Sequence, residues 1–258
     1  MKELPDNTPE YTPVEKHGDI WLKRDDLYCI AGVRGGKVRS CWHLSQGAKG
    51  LITASNRHSP QQIIVSYIAK RMKIPARIHL ASGSKTEEME RATKAGAELF
   101  QHKMGYNSVI CARAHTDATQ HEGWTEIPFG MCSLLAIEGN ATQTKNLPKR
   151  KDIKRIVVPV GSGIALSGII LGIQKYRKDL KDTPIIGVMV GADRHKLIDR
   201  FAPFGWRQHA TLVHAGMDYS KPQNNVTIGN GVELDPYYEA KAAPQVQPGD
   251  LFWIVGIR

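Results

Sequence analysis

The run Arg155-Ile156-Val157-Val158-Pro159-Val160 leads at once into Gly161-Ser162-Gly163 and then into the apolar segment Ile164–Tyr176. A short stretch dense in valine and isoleucine reads as a strand buried on both faces. The longer segment has helical spacing. A glycine turn joining such a strand to such a helix is a βα unit, and a strand covered on both faces requires layers of helix on each side of a sheet. An α/β fold with open parallel sheets flanked by helices, in three layers, is therefore expected.

The rest of the chain repeats the pattern. Ile20-Trp21-Leu22 reads as a strand, as do Gly50–Ala54, Ala76–Leu80, Glu98-Leu99-Phe100, Pro184–Val190 and Leu251–Val255. Helical spacing runs over Gln61–Met72 and Thr86–Ala97, the latter opening with acidic residues suited to the positive end of a helix dipole. Asn140–Asp152 is rich in Lys, Thr and Asn and reads as a linker, and Gln208–Glu233 as a less regular segment. A smaller α/β lobe over 45–140 is expected, with a larger one from 1–44 together with 141–258.

Several classes are excluded early. No stretch approaches the uninterrupted apolar length of a membrane span, and the polar start Met1–Asp6 lacks the apolar core of a signal peptide. Cys29, Cys41, Cys111 and Cys132 form no metal-type pair. A cytoplasmic protein without membrane or zinc is the expectation. The net charge of +10 is explained by a solvated basic surface or, more sharply, by a polyanionic partner such as DNA. Lys145–Arg155 and Lys175–Lys181 carry much of it.

Four segments carry side chains suited to chemistry. In Arg34-Gly35-Gly36-Lys37 the glycines allow close backbone approach, and a lysine amine desolvated there becomes nucleophilic. On spacing alone a surface turn with a basic flank is the favoured reading. Thr53–Ser59 joins a strand to a helix, so Ser55 and Asn56 fall at the carboxyl edge of a sheet, where ligands bind; a helix cap is the plainer alternative. Gly161-Ser162-Gly163 before a helix suits a phosphate, because free amides and the dipole both attract an anion. It matches neither the Walker loop nor the dinucleotide fingerprint, and a simple tight turn remains open. Asp235-Pro236-Tyr237-Tyr238-Glu239 reads as a capped helix start.

Taken in this order, the four segments resemble the fold-type II pyridoxal-phosphate enzymes, in the branch of aminocyclopropanecarboxylate deaminase and D-cysteine desulfhydrase. Ile20–Leu27 and Gly35-Gly36-Lys37-Val38-Arg39 are similar to that branch's "WxKRED" and "GGNKxRK". Ala54-Ser55-Asn56 is similar to its "QSN", and Asp235–Ala242 to its "DPVYEGKAM". The resemblance implies pyridoxal 5'-phosphate in the cleft between two lobes, held as a Schiff base by Lys37, and a homodimer. It implies Asn56 on the cofactor's phenolic oxygen and Ser55 on the substrate carboxylate. Gly161, Ser162 and Gly163 would hold the phosphate, Glu239 would face the pyridine nitrogen, and Tyr238 would lie near the substrate. A carboxylate at that nitrogen keeps the ring protonated and a better electron sink.

The chain also departs from that pattern. Ile164-Ala165 replaces the usual Gly-Thr, which removes a phosphate-binding hydroxyl unless Ser167 replaces it. The asparagine of "GGNK" is absent. Ile127–Leu134 stands where a "GGSN"-like substrate loop is expected, with Phe129 in place of a glycine. Three functions follow. The first is a lyase or deaminase acting at the α-carbon of an amino acid or amine. The second is a decarboxylase, lyase or exchange enzyme acting on an amino-acid-decorated pyrimidine in DNA, as in phage hypermodification. The third is a degenerate member that binds a ligand or DNA without turnover.

Overall fold

A computed structural model describes residues 6–103 and 105–257. The polar start read above falls, apart from Asp6, outside the described residues. In chain order the first elements are β1 (Val14–His17), β2 (Ile20–Arg24), β3 (Cys29–Ile30), β4 (Val33–Gly35), α1 (Gly36–Leu44), β5 (Gly50–Ala54) and α2 (Gln61–Met72). They are followed by β6 (Ala76–Ala81), α3 (Glu87–Lys94), β7 (Glu98–His102), α4 (Asn107–Thr119), β8 (Trp124–Ile127) and α5 (Leu134–Thr142). Next come β9 (Ile156–Val160), α6 (Ile164–Tyr176), β10 (Ile185–Met189), α7 (His195–Phe201) and β11 (Ala210–His214). The last are β12 (Thr227–Ile228), β13 (Val232–Glu233), α8 (Glu239–Ala242), β14 (Leu251–Ile254) and β15 (Gly256–Ile257).

The chain divides into two compact units. One is built chiefly of Lys37–Cys132 with Cys29–Val33; the other comprises Asn7–Tyr28, Arg34–Gly36 and Ser133–Arg258.

The first unit is a parallel sheet in the order β7-β6-β5-β8. Every residue of β5 is buried, and apart from Thr53 the strand is apolar, as expected of a strand with helices on both faces. Ile52 and Ala54 pack against Ile110 and Ala114 of α4. Thr53 points the other way and accepts a hydrogen bond from Gln61 of α2 at 2.8 Å.

The second unit carries the larger sheet, β1-β2-β14-β9-β10-β11. Only β1 runs antiparallel, against β2. Strand β9 explains the valine run. Ile156, Val158 and Val160 pack with Leu166, Ile169 and Ile173 of α6, while Val157 faces the opposite cluster with Leu22, Ala240 and Phe252. A proline in an interior strand removes a ladder donor. Here the pairing of β9 with β14 stops at Val157, before Pro159 is reached.

The expected linker at Asn140–Asp152 is corrected. Asn140–Thr142 completes α5, and Asn140, Gln143 and Thr144 are buried. The cause lies in α6. A Cβ at Gly168 would fall 2.5 Å from that of Asn140, and one at Gly172 would strike Ala141 and Thr144. Two glycines spaced one turn apart let α5 lie directly on α6, and the polar residues opposite them are drawn into the interface.

Candidate active site

The glycine turn after β9 is held from two sides. Gly163 is left-handed (φ 82°) and caps α6; an added Cβ there would meet Ile198 at 2.8 Å. At Gly161 a Cβ would sit 2.6 Å from the ring of Tyr238. Tyr238 in turn hydrogen-bonds Tyr219 between hydroxyls at 3.0 Å, and the Tyr219 ring lies beside Gly191, just past β10. Both tyrosines therefore lie at the carboxyl ends of two neighbouring parallel strands, the edge where α/β folds bind ligands. Arg194, also after β10, donates its Nε–H to the Gly161 carbonyl at 2.5 Å.

Within the first turns of α6, the Ser167 hydroxyl is fully buried and has no hydrogen-bond partner among the described residues. Buried hydroxyls are nearly always paired, so an orphan beside free helix amides marks a place for an acceptor.

Glu239 begins α8, after Asp235 has capped the turn by accepting the amides of Tyr237 and Tyr238 at 2.9 and 3.1 Å. Its side chain is 1% exposed. Oε1 accepts the amides of Val255 at 2.8 Å and Gly256 at 3.2 Å. Burial, reinforced by the charge of Asp235, pushes the Glu239 carboxyl well above the usual range. Val255 also accepts the amide of Gly36 at 2.8 Å, and β15 pairs with β4 through Gly256 and Gly35. A Cβ at Gly35 would lie 2.8 Å from both the Gly256 Cα and the Val255 carbonyl, and its φ is +119°. Glycine is required there by close backbone approach and by conformation.

Lys37 follows Gly36 as the second residue of α1 and is half-buried. Side chains in a helix lean toward its N-terminus, where the dipole disfavours a cation. In the same unit Ser55 is buried at the end of β5 and Asn56 is exposed. The Asn56 carbonyl gathers donors from Ser59, Gln62 and Ser55, which makes the turn rigid. Gln61 fixes the loop at Phe129. Its amide donates to Thr53 and to the Pro128 carbonyl at 2.9 Å, and its Oε1 accepts the Gly130 amide at 2.7 Å.

A family model described as "Pyridoxal-phosphate dependent enzyme" matches residues 8–220. The chain belongs to this family of pyridoxal-phosphate dependent enzymes. It is 26% identical over 204 residues to the Pyrococcus horikoshii protein named "Putative 1-aminocyclopropane-1-carboxylate deaminase", covering 73% of this chain and 62% of that one. The chain thus spans less than two thirds of the length of that curated relative. Among solved structures it is similar to an ACC deaminase homologue, with a TM-score of 0.76 and 21% identity over 96% of this chain and 90% of the other. It also resembles the processed threonine deaminase isoform 2 of Solanum lycopersicum, with TM-score 0.65 and 15% identity over 95% and 78% of the two chains. The apo diaminopropionate ammonia lyase of Escherichia coli gives 0.65 and 16% over 95% and 82%. The shared fold is the fold-type II α/β architecture expected from the sequence.

The residues present fit the family's cofactor. The orphaned Ser167 hydroxyl and the glycine turn suit its phosphate. The buried, proton-retaining carboxyl of Glu239 suits a ring nitrogen. Arg194, Tyr219 and Gln61 were not singled out by sequence. The available signal for Arg194 was its place in Gly191-Ala192-Asp193-Arg194, a strand-to-helix turn at the same carboxyl edge.

Proposed function

We propose that this protein is a pyridoxal-phosphate dependent lyase or deaminase acting at the α-carbon of a small amino acid or amine, with Lys37 as the residue that holds the cofactor. The observation that carries this reading is Glu239, a buried carboxyl with raised proton affinity fastened to the strand that abuts Gly35-Gly36. When bound, pyridoxal phosphate supplies an electron sink for charge developing at the substrate carbon. Glu239 would share a proton with the ring nitrogen. Gly161, Ser162, Gly163 and Ser167 would hold the phosphate at the start of α6. Asn56 would bond the phenolic oxygen, Ser55 the substrate carboxylate. The Lys37 amine would carry protons at the substrate carbon, with Tyr238 beside it. Deamination is supported by the name of the Pyrococcus relative, and a homodimer in the cytoplasm remains part of the proposal.

The test is spectroscopic. Purified protein mixed with pyridoxal phosphate develops a visible absorption band, Lys37→Ala does not, and a panel of small amino acids then yields ammonia or an oxo acid from the wild type. A colourless wild type would sink the reading.

One observation favours a second substrate class, an amino-acid-bearing pyrimidine in DNA. The two basic runs, separate in sequence, meet in the second unit. Tyr176 lies under Lys145 at 4.7 Å and Lys175 at 5.2 Å. Arg177 donates to the carbonyls of Leu147 and Pro148. Around them Lys149, Arg150, Lys151 and Lys178 are exposed. Such a cluster attracts a polyanion, and affinity for duplex DNA that falls steeply with salt supports this class. Absent or salt-insensitive binding removes it.

A further inference from the structure

We infer that Arg194 is an anion ligand of the glycine turn, adding a charged donor to a turn that has no charged side chain of its own. The inference rests on the reading above, in which the turn holds a phosphate. Arg194 is half-buried at the N-terminal end of α7. Its Nε–H is spent on the Gly161 carbonyl. Among the described residues its two terminal nitrogens make no hydrogen bond or ion pair, and the carboxylate next to it in sequence, Asp193, is engaged by His195 at 2.8 Å. A guanidinium without a carboxylate is thus pinned beside the N-terminus of a thirteen-residue helix. Both features are positive, and an anion between them is favoured by both.

The turn itself is short of donors, since Ala165 brings it no hydroxyl. The buried Ser167 hydroxyl is unpaired, and a fixed guanidinium fork offers phosphate two further donors. With Nε anchored on Gly161, the fork pays no further rotamer entropy to face the turn.

The experiment compares pyridoxal phosphate with pyridoxal, which lacks only the phosphate. Each is titrated into wild type, Arg194→Gln and Arg194→Ala, with the visible band as the binding readout and thermal melting as the folding control. Gln retains a donor for the Gly161 carbonyl and loses the charge together with the two terminal donors. The expected result is that both variants lose about tenfold or more of the preference for the phosphorylated form, a charge-assisted hydrogen bond's worth, while pyridoxal binds as before. Unchanged preference, or equal loss for both compounds, overturns the inference and leaves Arg194 as a clamp on the turn. Failure of the underlying reading looks different: the wild type then gives no band with either compound, and the inference falls with it.

Discussion

The Glu239 carboxylate accepts the amide of Val255 at 2.8 Å, and the carbonyl of the same Val255 accepts the amide of Gly36 at 2.8 Å. One residue thus ties the buried acidic group to the glycine pair that precedes Lys37. Each partner's position depends on the other's.

Glu239 gives a pH dependence of defined sign. Its carboxyl holds a proton in the folded protein well above the pH at which an unfolded glutamate releases it. Between those two values the native state binds more protons, so stability falls as pH rises, by at most about 1.4 kcal/mol per pH unit. Below the ordinary carboxylate range this contribution is fully present. Glu239→Gln mimics the neutral form and flattens that slope in denaturant melts taken across pH; an unchanged slope would refute the assignment.

Gly35→Ala is expected to destabilise the second unit by about 2 kcal/mol or more, from backbone strain at positive φ and overlap with Gly256. Thermal melting reads the loss. Gly47→Ala is the comparison: it shares a positive φ but has nothing within 4 Å of the added carbon, so it should cost less.

Ser167→Ala should act in opposite directions on two measurements. Removing a buried, unpaired hydroxyl stabilises the ligand-free protein by about 1 kcal/mol. On the proposed function the same change is expected to weaken pyridoxal phosphate binding in a titration, because the hydroxyl proposed for the phosphate is gone.

Gln61→Ala leaves the Gly130 amide without its partner and takes one of two donors from the Pro128 carbonyl, which keeps the Met131 amide. A loss of about 1–3 kcal/mol is expected. Amide hydrogen exchange should rise at Gly130 and Met131, whose backbones are both left-handed, and remain slow in β5.

The sheets were legible where burial fixes the residue type. Val157 and Val158 must be apolar because both faces of β9 are covered, so the strand announces itself. Gln61–Met72 and Ile164–Tyr176 were readable to their ends because glycine or polar turns flank them. Less was legible where a residue's place is set by a distant partner. Asn140 and Thr144 look like linker residues until Gly168 and Gly172 open a groove for them. The irregular reading of Gln208–Glu233 hid β11, whose Ala210–His214 owes its extended form to pairing with β10.

The candidate site divides the same way. Local chemistry marks Gly161 and Gly163, since a strand-to-helix turn needs them. Asp235 likewise is legible as a cap. For Arg194 the local signature is only that of a strand-to-helix turn, and its significance comes from the Gly161 carbonyl far away in the chain. Why Phe129 replaces a glycine has no explanation beyond its packing against the α4 side of β5.

Strand β14 lies between β2 and β9 although it is made from Leu251–Ile254. On a ribosome this order has a consequence. The first unit's sheet, Gly50 to Ile127, is complete once one continuous stretch has emerged. The second unit's sheet has an early strand and a middle strand that must wait for the strand that joins them. Until then both present open edges, the state in which nascent chains pair with the wrong neighbour. Chaperone access while β2 and β9 wait for β14 therefore bears on the yield of folded protein.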